Sequence, residues 1–267
     1  MKITHPIAVL CAAWLAASAG FASETTNSPA NLPAPQPAFK VGVGFDYSSG
    51  DYGFTQKTEV LSIPLNLAYE QDRWAFRATF PYIRIKGPAT VVAGLDPIAA
   101  PVRPVSQQES GFGDVVASAT YHANPTPGEL NVDFSGRVKF GTADKDRGLG
   151  TGETDFYAQT DLYQVFGDVI PFVSLGYRFL GSNATFPLKD GPYFSAGTSF
   201  RLSPTSVVGA AYDWRSRIID GAKNASDAIV FVSTNPNDRW NLLGYLLAGF
   251  NDAAPDYGLG GAATYKF

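Results

Sequence analysis

Hydrolytic chemistry at neutral pH draws most often on an imidazole or a thiolate, and this sequence holds few of either: His5, His122 and Cys11. His5 and Cys11 lie in an N-terminal apolar segment. That leaves His122, with Ser118 on the same face of an alternating stretch. A general base must reach its nucleophile within hydrogen-bond distance and be oriented by a third group. No aspartate is spaced to orient this pair, so no catalytic residue is assigned. Asp144, Asp146 and Gly148, with Glu153 and Asp155 close behind, look like part of a calcium loop. Calcium takes roughly six to eight oxygens and a denser run of acids. Lys145 and Arg147 dilute the charge here, and the segment reads as a solvated outer loop turning on its glycines. Gly148, Gly150 and Gly152 would suit a phosphate cradle only if a strand-to-helix switch followed, and none does. Neither a metal nor a cofactor is expected.

The remaining candidates are charges on one side of alternating segments: Arg77, Arg137, Lys139, Arg178, Arg201, Arg215 and Arg217 against Asp46, Asp133, Asp155, Asp161 and Asp213. On facing strands they would form cross-strand ion pairs worth about 0.2–1 kcal/mol each, or line a path for a solute. The set expected to line such a path is Arg77, Asp133, Arg137, Lys139, Asp155, Asp161, Arg178, Arg201, Asp213 and Arg215.

The elements that must position these charges are strands. Phe39, Val41, Val43, Phe45 and Tyr47 alternate with Lys40, Gly42, Gly44 and Asp46. Trp74, Phe76, Ala78, Phe80 and Tyr82 repeat the pattern against Arg77 and Thr79. Leu130, Val132, Phe134, Val138 and Phe140 oppose Asp133, Ser135, Arg137 and Lys139. Period two over about 10 residues is the signature of a strand with one wet and one apolar face. Counting such segments to the C-terminus gives about twelve. Ala228 to Ser233 and Trp240 to Leu247 are apolar on both faces, which leaves their orientation open.

The N-terminus sets the compartment. Lys2 precedes the apolar block Ile7–Ala17, which ends in Ala17-Ser18-Ala19 and Gly20-Phe21-Ala22. Charge, apolar core and small-residue cleavage site together read as a secretory signal over residues 1–22, cleaved after Ala22 with Ala19 as the second choice. The block is too short for a membrane helix, which needs about 20 residues. Leu10 before Cys11 is too large for a lipoprotein cleavage site. Residues 23–38, rich in Pro, Ser and Asn, read as a disordered leader. Residues 39–267 form the folded part. Removing Lys2 takes the formal charge from -4 to -5, an acidic balance that argues against nucleic acid as a partner.

No later run is long and unbroken enough for a membrane helix, so a membrane-spanning form would have to be a closed sheet. Connections alternate between long (near 49–56, 86–112, 141–154, 181–191, 216–226 and 249–256) and short (near 70–72, 123–128, 167–168, 203–205 and 234–239). Aromatics such as Tyr47, Trp74, Tyr82, Trp214, Trp240 and Tyr265 sit at strand ends, as at a membrane interface. The expected fold is all-β: an antiparallel up-and-down transmembrane β-barrel of about twelve strands, both termini periplasmic, in the outer membrane of a Gram-negative bacterium. Outer-membrane lipid is then one partner. The alternating strand that ends in Tyr265 and Phe267 reads as a signal for the barrel-assembly machinery. Twelve strands fall between a barrel packed shut and an open channel. The proline-rich apolar loop 86–112 is therefore a candidate constriction, with an adhesive outer patch as the alternative. An outer-membrane phospholipase would need a Ser–His pair near the outer leaflet, and His122 falls by a short turn on the other side.

Several phrases resemble one family: Trp74–Tyr82, Gly111-Phe-Gly-Asp114, Gly136–Asp144 with Lys145–Gly152, and Asp256–Phe267. Their order and spacing are similar to the outer-membrane proteins filed under the meta pathway of phenol degradation, often labelled transporters. The resemblance spans roughly residues 40–267, and the Lys139–Gly152 block is its most specific part. It implies a barrel that passes small hydrophobic or aromatic solutes. It brings no established set of functional residues. The competing expectation is a non-conducting structural or surface-binding barrel.

Overall fold

The computed structural model describes residues 37–92, 96–98, 108–123 and 129–267. The expected signal segment, nearly all of the leader and the centre of loop 86–112 lie outside them.

The strands are β1 (Ala38–Gly50), β2 (Thr58–Gln71), β3 (Trp74–Lys86), β4 (Thr90–Val92), β5 (Asp96–Ile98), β6 (Gln108–Phe112), β7 (Val116–His122), β8 (Asn131–Lys139), β9 (Asp155–Tyr163), β10 (Val169–Phe179), β11 (Gly191–Ser203), β12 (Ser206–Arg215), β13 (Ala225–Asn237), β14 (Trp240–Gly249) and β15 (Tyr257–Lys266). β4 and β5 form a separate small hairpin. The other thirteen make one antiparallel sheet. It closes because β1 pairs with both β15 and β2, and β2 pairs with β3. β6 and β7 both pair with β3, one above the other, so thirteen strands occupy twelve positions around a barrel.

Proline explains that division. Pro64 and Pro81 stand opposite each other in the β2–β3 ladder. Neither has an N–H to donate, so the wall weakens at that level. On the far side of β3 the chain leaves the ladder between Phe112 and Val116, where Gly113 N–H donates to Pro81 O at 2.8 Å and Val115 bonds instead to Phe140 N and Thr142 Oγ1. The departure turns Asp114 into the interior, where it is buried.

Three connections at one end are two-residue hairpins, closed by Gln71↔Trp74, Ser203↔Ser206 and Asn237↔Trp240. Asp72 takes the positive φ (54°) that such a turn demands. The long connections leave the opposite end, and the start of β1 and the end of β15 lie with the hairpins, where Lys40 pairs with Lys266. The outer face is apolar: Val43, Leu65, Leu175, Val230 and Leu246 are all exposed. Rings mark both rims, with Trp74–Tyr121, Trp240–Tyr265 and Phe39–Phe267 near the hairpins and Tyr47–Tyr257, Tyr82–Phe112 and Phe194–Trp214 near the loops. An apolar band between two aromatic girdles is how a barrel meets lipid. No helix among the described residues is long and apolar enough to cross a membrane.

The two segments that read as apolar on both faces are resolved by register. Ile229, Phe231 and Ser233 face inward on β13, and Val230 and Val232 outward. Leu243 and Tyr245 face inward on β14, and Leu242 and Leu246 outward.

Candidate functional site

The interior has two unlike sides. From β2 through β9 it is polar. Lys40 Nζ lies 2.9 Å from Glu70 Oε1, and Thr79 Oγ1 donates to Asn66 at 2.7 Å. Asp161 accepts from Ser174 at 2.5 Å and from Gln159 at 2.7 Å. His122 Nδ1 sits 2.9 Å from Asp133 Oδ1 at the hairpin end, occupied by that carboxylate. On β10 to β14 a patch of the interior is apolar: Phe172, Ala211, Ile229, Phe231, Leu243 and Tyr245 form one buried cluster. Inward glycines make room for its rings. A Cβ on Gly197 would fall 2.6 Å from Phe172 Cζ, and one on Gly260 would fall 2.5 Å from the Tyr245 ring.

The loop between β8 and β9 is solvated at Asp144–Arg147, as expected, but not beyond. Leu149 is 1% exposed, and Gly148, Gly150 and Thr151 are buried with it. Leu149 and Ala143 pack on Val60, Ile83 and Ile85 at the tops of β2 and β3. Burial of that apolar patch folds the loop inward. A charged knot fastens it. Lys139 Nζ lies 2.9 Å from Asp114 Oδ2 and 3.0 Å from Asp155 Oδ2, and it donates to Thr151 Oγ1 at 3.4 Å. Asp114 also accepts from Ala143 N at 2.8 Å, and Asp155 from Gly181 N at 2.8 Å. Asp144 serves as a turn cap, its Oδ1 accepting from the N–H groups of Asp146 and Arg147 at 3.0 and 3.2 Å. Of the acids that resembled a calcium loop, Asp144 thus accepts from backbone, Asp155 from backbone and Lys139, and Glu153 from Asn183 Nδ2 at 2.8 Å.

The loops after β10 and β12 also turn inward. Leu180, Phe186, Leu188 and Ile218 pack against Tyr157 and Tyr193 of the wall. Beside them a cavity of 340 Å³ opens at the mouth, lined by Tyr52, Arg178, Arg215, Ile218, Lys223 and Pro255 among others. Arg215 is held by Asp227, and Arg178 donates to the Ser216 carbonyl. Below Arg215 on the inner face of β12 come Asp213 and then Ala211. Ser195, Asp213 and Asp227 share one level across three strands. A charged belt thus separates the mouth cavity from the apolar cluster. Lys189–Asp220 and Lys223–Asp252 tie the loop after β12 to its neighbours on either side. Each lysine holds its partner's carboxyl below the usual carboxylate range.

All ten residues expected to line a solute path lie on the inner face, but not as one ring. Lys139 and Asp155 belong to the loop knot, and Arg178, Arg215 and Asp213 to the cavity floor and belt. Asp133 and Asp161 lie toward the hairpin end. Arg201 lies there too, 3.9 Å from Asp168. Arg137 stands 5.6 Å from the Tyr157 ring, a cation–π contact, and its strand partner across β7 leads to Arg77. Asp114, Thr151, Leu149 and Tyr52 were not singled out from sequence. The quoted phrases Gly111–Asp114 and Lys139–Gly152 carried a signal for three of them, since the knot is where those two phrases meet.

The sequence matches no described family and no curated protein. Its fold is similar to solved structures. An outer membrane channel from Pseudomonas putida F1 gives a TM-score of 0.67 at 14% identity, covering 91% of this chain and 100% of that one. The β domain of the Bordetella autotransporter BrkA gives 0.53 at 12% identity, covering 87% and 100%. The KdgM porin, in complex with disordered oligogalacturonate, gives 0.51 at 8% identity, covering 85% and 99%. At such identities the likeness establishes the fold, that of outer-membrane β-barrels.

Proposed function

We propose that this chain is a passive outer-membrane channel for small hydrophobic or aromatic solutes, with the inward-folded outer loops as its gate. The observation that carries the reading is the buried apolar cluster of Phe172, Ile229, Phe231, Leu243 and Tyr245 on the inner wall. A barrel needing only mechanical stability is served by cross-strand polar pairs on its inner face; a buried apolar patch with three rings suits a solute with an apolar body. The likeness in fold to an outer membrane channel and a porin supports the same class. In this reading residues 1–22 are cleaved after Ala22, residues 23–38 are a periplasmic leader, and Tyr265 and Phe267 present the chain to the assembly machinery. The ten inner charges Arg77, Asp133, Arg137, Lys139, Asp155, Asp161, Arg178, Arg201, Asp213 and Arg215 then line or hold shut the polar side of the path.

Single-channel conductance of the refolded chain tests this. Discrete openings blocked by an apolar or aromatic solute are expected. A folded barrel that stays silent at all voltages would favour the second reading, a structural or surface-binding barrel. The buried pairs of Lys139 with Asp114 and Asp155, which lock a loop across the interior, are the observation on that side.

A further inference from the structure

We propose that the outside of the wall at β2, β3 and β6 seats one phosphorylated glycolipid of the outer leaflet, with Arg84 and Lys86 holding its phosphates. Such a seat requires a barrel whose long loops face that leaflet; it does not require a conducting lumen. Along the thirteen strands of the closed sheet, the residues that alternate outward are apolar or neutral at every position but three: Glu59 on β2, and Arg84 and Lys86 on β3. Ile83 and Ile85 are fully buried on the inner side, so the alternation that carries them in carries Arg84 and Lys86 out. Charge on the lipid side of a barrel is costly at the bilayer centre and tolerated near the headgroups.

Height decides which of these applies. Tyr82 and Phe112, with ring centroids 5.7 Å apart, belong to the girdle at the loop end. Rings of such a girdle sit at headgroup level. Arg84 is the next outward residue beyond Tyr82 and Lys86 the one after, each step roughly 6.6–6.8 Å along a strand. The two cations therefore stand where lipid phosphates stand.

Other cations at this end are engaged by carboxylates: Lys57 by Asp256, Arg147 by Glu109, Lys189 by Asp220 and Lys223 by Asp252. Arg84 has no carboxylate partner among the described residues; its Nη2 donates to the neutral Gln108 Oε1 at 2.7 Å. Lys86 Nζ lies 4.0 Å from Glu59 Oε2, and with side chains 58% and 45% exposed that pair neutralises little. The bond to Gln108 steadies one edge of the guanidinium and leaves other N–H groups for two phosphate oxygens, the match a planar fork makes. Ser110 Oγ, which accepts from Tyr82 OH at 3.4 Å, keeps its own hydroxyl hydrogen to donate on the same side. One level below, Ile63, Tyr82 and Phe112 are all exposed. Cations above an apolar, ring-bearing surface match an anionic headgroup with acyl chains beneath it; a free phosphate has no use for the rings.

The test is native mass spectrometry of the refolded full chain in detergent, titrated with a lipid A that carries both phosphates, beside the same lipid A dephosphorylated and beside inorganic phosphate. One phosphorylated lipid should bind per chain, about tenfold or more tightly than its dephosphorylated form. The double variant Arg84→Gln, Lys86→Gln should bind it about tenfold or more weakly, the loss of charge-assisted hydrogen bonds. Arg239→Gln removes a cation at the hairpin end, where Arg239 donates to Tyr265 OH at 3.0 Å, and should bind like the unaltered chain. Equal binding of the two lipid A forms by the unaltered chain would overturn the seat, whatever the variants do. So would a double variant that keeps the unaltered thermal transition and binds undiminished, an equal loss in Arg239→Gln, or displacement of the lipid by inorganic phosphate at equal concentration.

Discussion

Replacing Lys139 with Met should open the outer loops without unfolding the barrel. The ammonium is 1% exposed and lies within 3.0 Å of both Asp114 and Asp155. Its removal leaves two buried carboxylates facing each other with no cation between them. Breaking a buried pair by deleting one partner costs about 3–5 kcal/mol. Met fills most of the volume and the β8 backbone keeps its ladder, so the cost falls on the closed state of loop 140–154. Release of that loop lets both carboxylates hydrate. The expected shift is about a hundredfold to a few thousandfold in the ratio of closed to open loop. Arg147 is exposed, but Gly148 to Thr151 on the far side of its peptide bond are buried while the loop is closed, so trypsin cleavage after Arg147 reads the open population when reclosing outruns cleavage. Cleavage should accelerate, and conductance should rise in parallel. Adding Asp114→Asn and Asp155→Asn should reverse both effects. The amide oxygens can still accept from Ala143 N and Gly181 N, and the charge imbalance is gone. A folded Lys139→Met barrel with unchanged cleavage and unchanged conductance would refute the assignment of this knot as the latch.

Other outcomes follow from the same geometry. Phe231→Ala empties a ring from the inner apolar cluster; thermal unfolding should show a loss of about 3–5 kcal/mol, and flux of an apolar solute should rise relative to potassium. For pH, the carboxyls of Asp220 and Asp252 are held below their ordinary value by lysines. Their contribution is therefore complete above the unfolded value near 3.9 and is lost only as pH falls through the lower folded values. Conductance should be flat between pH 5 and 8 and rise in strong acid; a midpoint inside that window would remove these tethers as what fastens the loops. Deleting Phe267 removes its N–H bond to Phe39 O at 3.0 Å and its ring contacts with Phe39 and Tyr265; the amount of chain recovered in outer-membrane fractions should fall, and equal recovery would remove Phe267 as an assembly signal.

The barrel was legible because a closed sheet in lipid imposes period two on every strand. Lys40, Gly42, Gly44 and Asp46 could be placed inside and Phe39, Val43 and Phe45 outside from the alternation alone. The alternation of long and short connections then put the start of the first strand and the end of the last at one rim, as the pairing of Lys40 with Lys266 bears out. Tertiary structure decided what alternation cannot carry. The segments 228–233 and 240–247 have two apolar faces, and only their register with Gly209 and with Ala263 of β15 says which face meets lipid. Asp114 enters the knot where the chain leaves β3 beside Pro81, and no local pattern connects those residues. Loop 140–154 is rich in charge and glycine and reads as solvated. It folds inward because Leu149 finds Val60, Ile83 and Ile85, side chains that a local reading could not bring to it. Period and turn composition are local properties and survive in the sequence; which loop fills the interior depends on surfaces that exist only once the sheet has closed.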